Sequence, residues 1–324
     1  MKRNFVSNST DSIRNQTPKD LELFTKRDFL LSLTLSVFYI LLSSLLVGFK
    51  TDQLVLVFIF NTLYYISHTT RKFIIGFSIF IVYWILFDYM KAFPNYWFND
   101  VHIESLYQLE KKLFGINFHQ MVLTPNEYWK LHTNSFLDLS TGLFYLMWIP
   151  VPLVFATYLF FKKKQQFLYF SLTFVLVNLI GFVGYYIYPA APPWYVQEHG
   201  FSFYAHTLGS RAGLIRFDDF FDISLFKSIY SKGSNVFAAM PSLHSSYPVI
   251  VLYYGLKNKL GKVNIFFVVV MLGIWFAAVY TSHHYTLDVI AGIITALSGL
   301  VGFNLLLTAK FFKKYMEYML QKIS

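Results

Sequence analysis

Cysteine is absent from the 324-residue sequence, and charged residues are scarce. The absence of cysteine excludes disulfides and thiolate metal sites. Only 14% of the residues are charged and 56% are hydrophobic, whereas soluble domains are about one-quarter charged. The mean hydropathy of +0.47 agrees with this imbalance. The composition therefore excludes an ordinary soluble domain and predicts a polytopic membrane protein.

Long apolar runs recur along the chain, and a bilayer needs about 20 such residues for each crossing helix. We predict an all-α fold, a polytopic membrane helical bundle with about eight transmembrane helices, near 29–49, 53–70, 73–90, 135–161, 167–188, 243–256, 264–281 and 283–309. The amphipathic stretch 101–122 is predicted as an additional interfacial helix. A soluble-core helix is the alternative, but the sequence offers no soluble domain to bury it.

The predicted helices divide the chain into four parts. Residues 1–28 are polar, without the apolar core and cleavage site of a signal peptide, and are expected to form a cytoplasmic N-terminal segment. Residues 29–134 would hold the N-terminal helices and the interfacial helix. Residues 135–309 would form a second helical bundle, and residues 310–324 a cytoplasmic tail.

The net charge of +10 is unevenly distributed over the predicted topology. Eight crossings put both termini on one side, which carries 18 Lys and Arg against 5 Asp and Glu, a net charge of +13. The opposite side carries 9 against 12, a net charge of −3. By the positive-inside rule, the basic side is cytoplasmic. The basic composition is therefore a topology signal, and we predict no nucleic-acid partner.

Two polar stretches, FAAMPSLHSSYP and TSHHYTLDVIAG, interrupt the apolar pattern. In the predicted topology both lie at the outer membrane surface, where the sixth and eighth helices start. Ser242 is a predicted N-cap, which places His244 in a first turn whose free N–H groups attract anions. His284 and Asp288 are four residues apart on one helix face, so the carboxylate can fix the imidazole tautomer. We predict His244, His284 and Asp288 as the catalytic group.

Structural roles and a metal site are the alternatives. A single interfacial histidine commonly has a structural role, and His283 points about 100° away from His284 on a helix, so His283 is predicted outside the site. Two imidazoles and a carboxylate are also an acceptable zinc ligand set. Zinc would more naturally come with cysteine or acidic partners at tight spacing, so we predict neither a metal nor a cofactor.

The motifs PSLHS and HHYTLDVIAG resemble the second and third signature motifs of the type 2 phosphatidic acid phosphatase superfamily. More closely, the chain resembles the fungal inositol phosphorylceramide synthase branch, through NLIGFVGYYIYPAAPPWY, AGLIRFDDFFD, VFAAMPSLHSSYP and FAAVYTSHHYTLDVIAG in the same order. These stretches cover 178–292, with weaker similarity from Phe136. The resemblance implies that 135–309 is the catalytic bundle. The first three predicted helices lie outside it.

Two departures separate the chain from the phosphatases. Their first motif, Lys-x6-Arg-Pro, is absent, and Ala278 stands where they carry an arginine before the second catalytic histidine. Both losses also occur in the synthase branch, and they leave the phosphate short of cations. Arg216 is the predicted replacement and Arg211 the second choice. The alternative for Arg216 is a structural pair with Asp218 or Asp219.

Four further residues are predicted to bind substrate. Trp194 and Tyr195, in PAAPPWY, form either an interfacial aromatic anchor or a rigid side of the headgroup pocket. Asp138, at the outer start of the fourth helix, binds a hydroxylated headgroup or caps its own helix. Ser242, at its helix start, would help to offset phosphoryl charge.

The resemblance implies metal-independent phosphoryl transfer through a phosphohistidine. His284, held by Asp288, would attack phosphorus, and His244 would act as general acid and then as general base. We expect an integral-membrane enzyme that moves a phospho-headgroup, inositol phosphate by resemblance, from a membrane phospholipid donor to a lipid-alcohol acceptor such as ceramide. A lipid phosphatase or phosphodiesterase is the alternative within enzymes. A lipid transporter is the alternative from another class.

Overall fold

A computed structural model describes residues 23–231 and 235–324 of the chain. The predicted N-terminal segment, 1–28, therefore falls mainly outside the described residues. The chain divides into two compact units, Met1–Ile75 and Gly76–Ser324, and the boundary falls within the third helix. The second unit contains both histidine motifs.

From residue 23 onward, where the structure describes it, the first unit contains two complete helices and the start of a third. They are α1 (Lys26–Val47), α2 (Thr51–Ile66) and α3 (His68–Tyr89). Thr25 is the N-cap of α1, because its hydroxyl accepts a hydrogen bond from the Asp28 amide at 3.0 Å. This contact satisfies one of the free amide groups at the start of the helix.

Two short helices and a hairpin follow α3. They are α4 (Glu104–Phe114), β1 (Ile116–Phe118), β2 (Met121–Leu123) and α5 (Pro125–Leu131). His119 and Gln120 form the hairpin turn, and both have positive φ, as a tight two-residue turn requires. The predicted interfacial helix, 101–122, is therefore too long. It ends before Gly115, where a Cβ would lie 2.2 Å from the Lys111 carbonyl oxygen.

The rest of the second unit is a helical bundle. Its helices are α6 (Ser135–Leu146), α7 (Pro150–Lys162), α8 (Lys164–Ile187), α9 (Pro193–His199), α10 (Ile215–Phe221), α11 (Leu225–Ser231), α12 (Leu243–Lys257), α13 (Val263–Tyr280), α14 (Thr286–Leu306) and α15 (Lys310–Ile323). α12 packs against α8, α13 and α14, while α14 also packs against α8 and α13 packs against α6. α12 is therefore the central helix, and α13 and α14 flank it.

The predicted helix 135–161 is broken. α6 ends at Leu146, and α7 starts at Pro150, where a first turn needs no amide hydrogen from proline. A continuous helix would need that hydrogen. The turn between α6 and α7 contains Trp148, and Tyr145 lies just before it.

Six stretches of the described residues are long and apolar enough to cross a membrane: Lys26–Val47, His68–Ala92, Ser135–Lys162, Lys164–Ile187, Val263–Tyr280 and Thr286–Leu306. The predicted segments 53–70 and 243–256 form the shorter helices α2 and α12, of 16 and 15 residues. The all-α polytopic membrane bundle is confirmed. The number of crossings, about eight, stays a prediction.

A polar group inside the bundle is satisfied by its neighbours. Asn178 is fully buried in α8, where its amide group donates to the Phe174 carbonyl at 2.8 Å. Its carbonyl oxygen accepts a hydrogen bond from the Tyr247 hydroxyl at 2.7 Å, and the Tyr83 hydroxyl lies 3.0 Å from that of Tyr247. Such pairing is what a membrane interior requires of a polar side chain, and here it links α3, α8 and α12.

Candidate active site

The two histidines of the sequence motifs meet where α12 and α14 start. Nδ1 of His244 lies 3.3 Å from Nε2 of His284, although 40 residues separate the two along the chain. His244 is in the first turn of α12, and His284 lies two residues before α14. A group bonded to one imidazole is therefore within reach of the other. Acid–base assistance of a nucleophile requires this proximity.

Asp288 lies against the other side of the His284 ring. Its Oδ2 atom is 3.5 Å from Nδ1 of His284 and accepts a hydrogen bond from the Tyr285 amide at 2.8 Å. Among the described residues, neither Nδ1 of His284 nor Oδ1 of Asp288 has a hydrogen-bond partner. A separation of 3.5 Å is longer than a well-formed hydrogen bond, and catalytic contacts of this kind commonly tighten in the substrate complex. The arrangement leaves Nε2 of His284 facing His244.

Three contacts hold α12 against α14 at this point. The Ser242 amide donates to the Asp288 carbonyl at 2.9 Å, and the Ser246 hydroxyl donates to the Gly292 carbonyl at 2.6 Å. A Cβ at Gly292 would lie 2.1 Å from the Ser242 carbonyl oxygen, so only glycine permits this approach. Ser242 is also the N-cap of α12, because its side chain accepts from the Ser245 amide. The helix spacing thus sets where the two imidazoles meet.

Two aromatic residues from the break between α6 and α7 pack on His244. The Tyr145 hydroxyl is 3.4 Å from Nδ1 of His244, and the Trp148 ring meets the imidazole edge to face with centroids 4.5 Å apart. We call this pair the aromatic shield. No sequence pattern marks this pair, because the uniformly apolar run 135–161 conceals the break beside which both residues lie.

His283, predicted outside the site, is buried beside it. Its Nδ1 atom is 2.9 Å from the Thr281 hydroxyl, and its ring centroid lies 4.6 Å from that of Tyr230 and 5.2 Å from that of Tyr145. Burial lowers the pKa of His283 well below its usual value of 6.5. His283 is therefore an uncharged packing partner of the aromatic shield.

Removal from water also lowers the pKa of His284, to about 4, against an opposing effect of the nearby Ala239 carbonyl. An imidazole with such a pKa is neutral at physiological pH and keeps a lone pair on one ring nitrogen. His284 can therefore attack an electrophile without first losing a proton.

Arg216 pairs with Asp138, a predicted site residue that the sequence did not indicate as its partner. Its Nε atom is 2.5 Å from Oδ1 of Asp138, and its guanidinium lies over the Tyr280 ring, 5.3 Å from the centroid. The Tyr280 hydroxyl donates to the same Asp138 oxygen at 2.8 Å. The Asn134 side chain caps α6 by accepting from the Leu137 amide at 2.9 Å, which excludes the alternative that Asp138 caps this helix.

Arg211, and not Arg216, forms the ion pairs with Asp218 and Asp219. Its guanidinium is 3.0 Å from the buried carboxylate of Asp218 and 3.8 Å from that of Asp219. Asp218 also accepts hydrogen bonds from the Phe226 and Lys227 amides, each at 3.0 Å. Arg211 therefore belongs to the contacts that hold α10 against α11.

Trp194 and Tyr195 are 5% and 0% exposed, which contradicts an exposed aromatic anchor. Both pack in a buried apolar cluster with Phe237. The Tyr195 hydroxyl donates to the Ser202 carbonyl at 2.8 Å, and the Trp194 amide donates to the Ser282 carbonyl at 3.0 Å. The contact between Trp194 and Ser282 ties the PAAPPWY segment to the loop that carries His284.

Two buried polar residues that the sequence analysis missed, Glu110 and Asn126, contact the backbone around His284. Glu110 lies among charged neighbours in an amphipathic helix, so no signal distinguishes it in the sequence.

A metal site would need several ligating side chains close together. Residues 23–231 and 235–324 contain no group of three or more His, Asp or Glu side chains placed to hold an ion.

Comparisons with known proteins agree with the motifs. A family model described as PAP2 superfamily matches residues 105–301. The phosphoinositol dihydroceramide synthase of Bacteroides thetaiotaomicron is 40% identical over 301 residues, which cover 91% of this chain and 99% of the relative. The resemblance seen in the sequence is confirmed, and in this relative it extends well beyond 178–292.

Two fungal proteins are more distantly similar. The inositol phosphorylceramide synthase of Candida albicans is 27% identical over 279 residues, covering 83% of this chain and 55% of the relative. The catalytic subunit of the inositol phosphorylceramide synthase of Saccharomyces cerevisiae is 28% identical over 236 residues, covering 72% and 56%. The chain thus spans about half the length of these two relatives. No solved structure matches the chain.

Proposed function

We propose that this chain, which belongs to the PAP2 superfamily and is an integral-membrane lipid phosphotransferase, moves phosphoinositol. The donor would be a glycerophospholipid, and the acceptor would be the hydroxyl of a ceramide or dihydroceramide. The observation that carries the proposal is the 3.3 Å contact between His244 and His284, which joins two imidazoles at one site. The substrate classes follow the names of the similar proteins, a phosphoinositol dihydroceramide synthase and inositol phosphorylceramide synthases.

In the first half-reaction, Nε2 of His284 attacks the phosphorus of the donor lipid. A nitrogen–phosphorus bond forms, and the bond from phosphorus to the diacylglycerol oxygen breaks. In the substrate complex, the negative charge of the donor phosphate favours the protonated form of His244, which donates its proton to the leaving alkoxide. Asp288, on the Nδ1 side, holds the ring orientation and stabilises the positive charge that the ring gains. The products of this step are diacylglycerol and a phosphohistidine that carries inositol.

In the second half-reaction, the now neutral His244 takes the proton of the acceptor hydroxyl. The acceptor oxygen attacks phosphorus, the nitrogen–phosphorus bond breaks, and His284 returns to its neutral form. The proton that His244 donated is thereby replaced. The two half-reactions together consume no net proton.

Negative charge on the phosphoryl oxygens needs N–H or cationic partners in the transition state. We assign this role to the amides at the start of α12, which Ser242 caps, and to Arg216. The Nη2 atom of Arg216 is buried and has no hydrogen-bond partner among the described residues. The ion pair with Asp138 orients this guanidinium, whereas Arg211 is engaged by Asp218.

We further propose that the site lies at the outer face of the membrane, periplasmic or lumenal, with both termini cytoplasmic. The charge difference between the two predicted faces, +13 against −3, supports this orientation. The lysines at 162–164 and 257–262 lie at the ends of α8 and α12 opposite to the motif residues. An outer-leaflet site lets both lipids arrive laterally without leaving the bilayer.

A product assay tests the proposal. Purified protein in mixed micelles receives phosphatidylinositol labelled in the inositol ring, with and without ceramide. We expect a labelled sphingolipid and an equal amount of diacylglycerol only when ceramide is present, and no product from His244→Ala or His284→Ala at matched expression. Free inositol phosphate as the main product would instead identify a phosphodiesterase. In a parallel sample of the protein reconstituted into vesicles, movement of the donor lipid across the bilayer without any product would identify a transporter.

A further inference from the structure

A buried carboxylate from α4 caps the helix that carries Asp288. The carboxylate of Glu110 is fully buried, and its two oxygens accept hydrogen bonds from the amides of Thr286 at 2.9 Å and Leu287 at 3.0 Å. These are the first two residues of α14, whose amides have no acceptor within the helix. Asp288 itself accepts from the Tyr285 amide. Three successive amides at the helix start are thus held by two carboxylates, one of which comes from a distant helix.

Asn126, in the first turn of α5, holds carbonyl groups of the same loop. Its Nδ2 atom donates to the carbonyl oxygens of Val279 and His284, both at 2.8 Å. Val279 lies in the last turn of α13. One buried amide group therefore bridges the end of α13 and the backbone of the residue that carries the imidazole.

Burying the polar side chains of Glu110 and Asn126 costs free energy that apolar side chains at the same positions would not cost. A buried carboxylate is unfavourable unless it is hydrogen-bonded, and the positive end of a helix offsets part of the penalty. Burial raises the pKa of Glu110, although the hydrogen bonds from Thr286 and Leu287 act in the opposite direction. An apolar side chain could fill the same space without this penalty. The hydrogen bonds instead fix backbone positions at 284–287, where the nucleophile is.

We infer that Glu110 and Asn126 are positioning residues, which clamp the backbone of 279–287 so that His284 meets His244 and Asp288 in reacting geometry. The inference rests on the proposed function, in which His284 is the nucleophile. Neither residue contacts the reacting atoms. Both act through the backbone on either side of the His284 side chain, one through amides and the other through carbonyls.

Kinetics of matched variants test the clamp. Glu110→Gln keeps the size and one acceptor oxygen, whereas Glu110→Ala removes both acceptors. We expect kcat to fall about tenfold and about a hundredfold respectively, with KM changed less than about twofold, because the geometry of the reacting groups is lost and substrate binding is not. Asn126→Asp keeps the shape but removes the donor, and should lower kcat by about a hundredfold. Exposed residues of the same types, in Glu104→Ala and Asn117→Ala, are the controls and should retain wild-type kinetics.

Amide hydrogen exchange gives a readout that does not depend on the reaction. The amides of Thr286 and Leu287 lose their acceptors in Glu110→Ala, so a peptide covering 283–289 should exchange faster there. The same peptide should be unchanged in Glu104→Ala, and a peptide from the end of α12 should be unchanged in both. If the wild type makes no ceramide product, the proposed function fails while the exchange result still tests the clamp.

Three outcomes would overturn the inference. A wild-type kcat in Glu110→Ala and Asn126→Asp would show that these backbone contacts do not affect the rate. A raised KM with unchanged kcat would make Glu110 part of a substrate site. If Glu110→Gln and Glu110→Ala lose activity equally, and only in proportion to their loss of thermal stability, the carboxylate is a structural cap without a positioning role.

Discussion

Replacing Gly292 by alanine tests whether the spacing between α12 and α14 controls the rate. A Cβ at this position would lie 2.1 Å from the Ser242 carbonyl oxygen, and ordinary van der Waals contact begins at 3.4 Å. The obstacle is backbone, so no rotamer change can relieve it, and the local separation must grow by about 1.3 Å, the difference between these two distances. His244 lies two residues after Ser242, and Asp288 lies one turn before Gly292. The displacement therefore acts directly on the catalytic group.

The expected loss follows from this displacement. A misplacement of about 1 Å costs about a hundredfold in rate, so kcat/KM of Gly292→Ala should fall about a hundredfold. Overpacking costs about 1–3 kcal/mol of stability, which exceeds the gain of up to about 1 kcal/mol from replacing glycine by alanine in a helix. Transfer from labelled phosphatidylinositol to ceramide measures the rate, and thermal unfolding of the same detergent sample measures the stability.

Two other glycines of α14 separate geometry from packing. A Cβ at Gly302 would lie 3.6 Å from Leu176, an ordinary contact, so Gly302→Ala should keep the wild-type rate and gain stability. A Cβ at Gly299 would lie 2.3 Å from Val177, about two turns away from Gly292, so Gly299→Ala should lose stability without a hundredfold loss of rate. A folded Gly292→Ala enzyme with wild-type turnover would refute the reasoning, because helix spacing would then not control the rate.

Three further predictions concern charge at the site. Asp288→Asn should leave a small residual rate, about four orders of magnitude below wild type, because an amide favours the wrong tautomer of His284. Single-turnover transfer measures this rate. A rate within tenfold of wild type would contradict the role given to Asp288. Arg216→Lys should cost on the order of 2–4 kcal/mol in kcat/KM at matched expression, since lysine lacks the planar fork that fits phosphate. Arg211→Lys should cost far less, because Asp218 already pairs with that arginine. Equal costs for the two variants would make Arg216 a structural residue. Burial lowers the pKa of folded His284 from 6.5 to about 4, so the unfolded chain binds more protons between these values and the free energy of unfolding decreases as the pH falls through this range. Thermal melts of the wild type should therefore lose stability more steeply than those of His284→Ala between pH 6.5 and 4, and parallel curves would contradict this.

Most of the bundle could be predicted because the signals are local. α13 was predicted at 264–281 and spans Val263–Tyr280, since an uninterrupted apolar run fixes both ends. The N-cap at Ser242 was predicted from its residue type and was found. The break before Pro150 was missed because the hydropathy of 135–161 is uniform, although the proline cannot supply the amide of a helix interior. A strongly apolar run therefore predicts that a helix exists better than it predicts that the helix is continuous.

The meeting of His244 and His284 could be predicted because the number of helices between them determines which side each motif lies on. The backbone contacts of Glu110 and Asn126 could not be predicted in this way. Glu110 binds backbone amides, and every residue except proline has one, so no pattern of residue types marks its partners. The pair of Arg216 and Asp138 spans 78 residues, while carboxylates two and three positions away in the sequence suggested a local pair. Those nearby carboxylates pair with Arg211 instead.

The break between α6 and α7 determines what surrounds His244, the proposed general acid. Tyr145 lies 3.4 Å from His244, and the Trp148 ring packs edge to face on it. In the proposed mechanism, water and a lipid alcohol compete for the same phosphorus once His284 carries the phosphoryl group, and the outcome depends on which nucleophile His244 deprotonates first. The two rings cover part of the space beside His244, which is itself only partly buried. Under the proposed mechanism, the balance between synthesis and hydrolysis is a kinetic partition that depends on how much of His244 these two rings leave open to water.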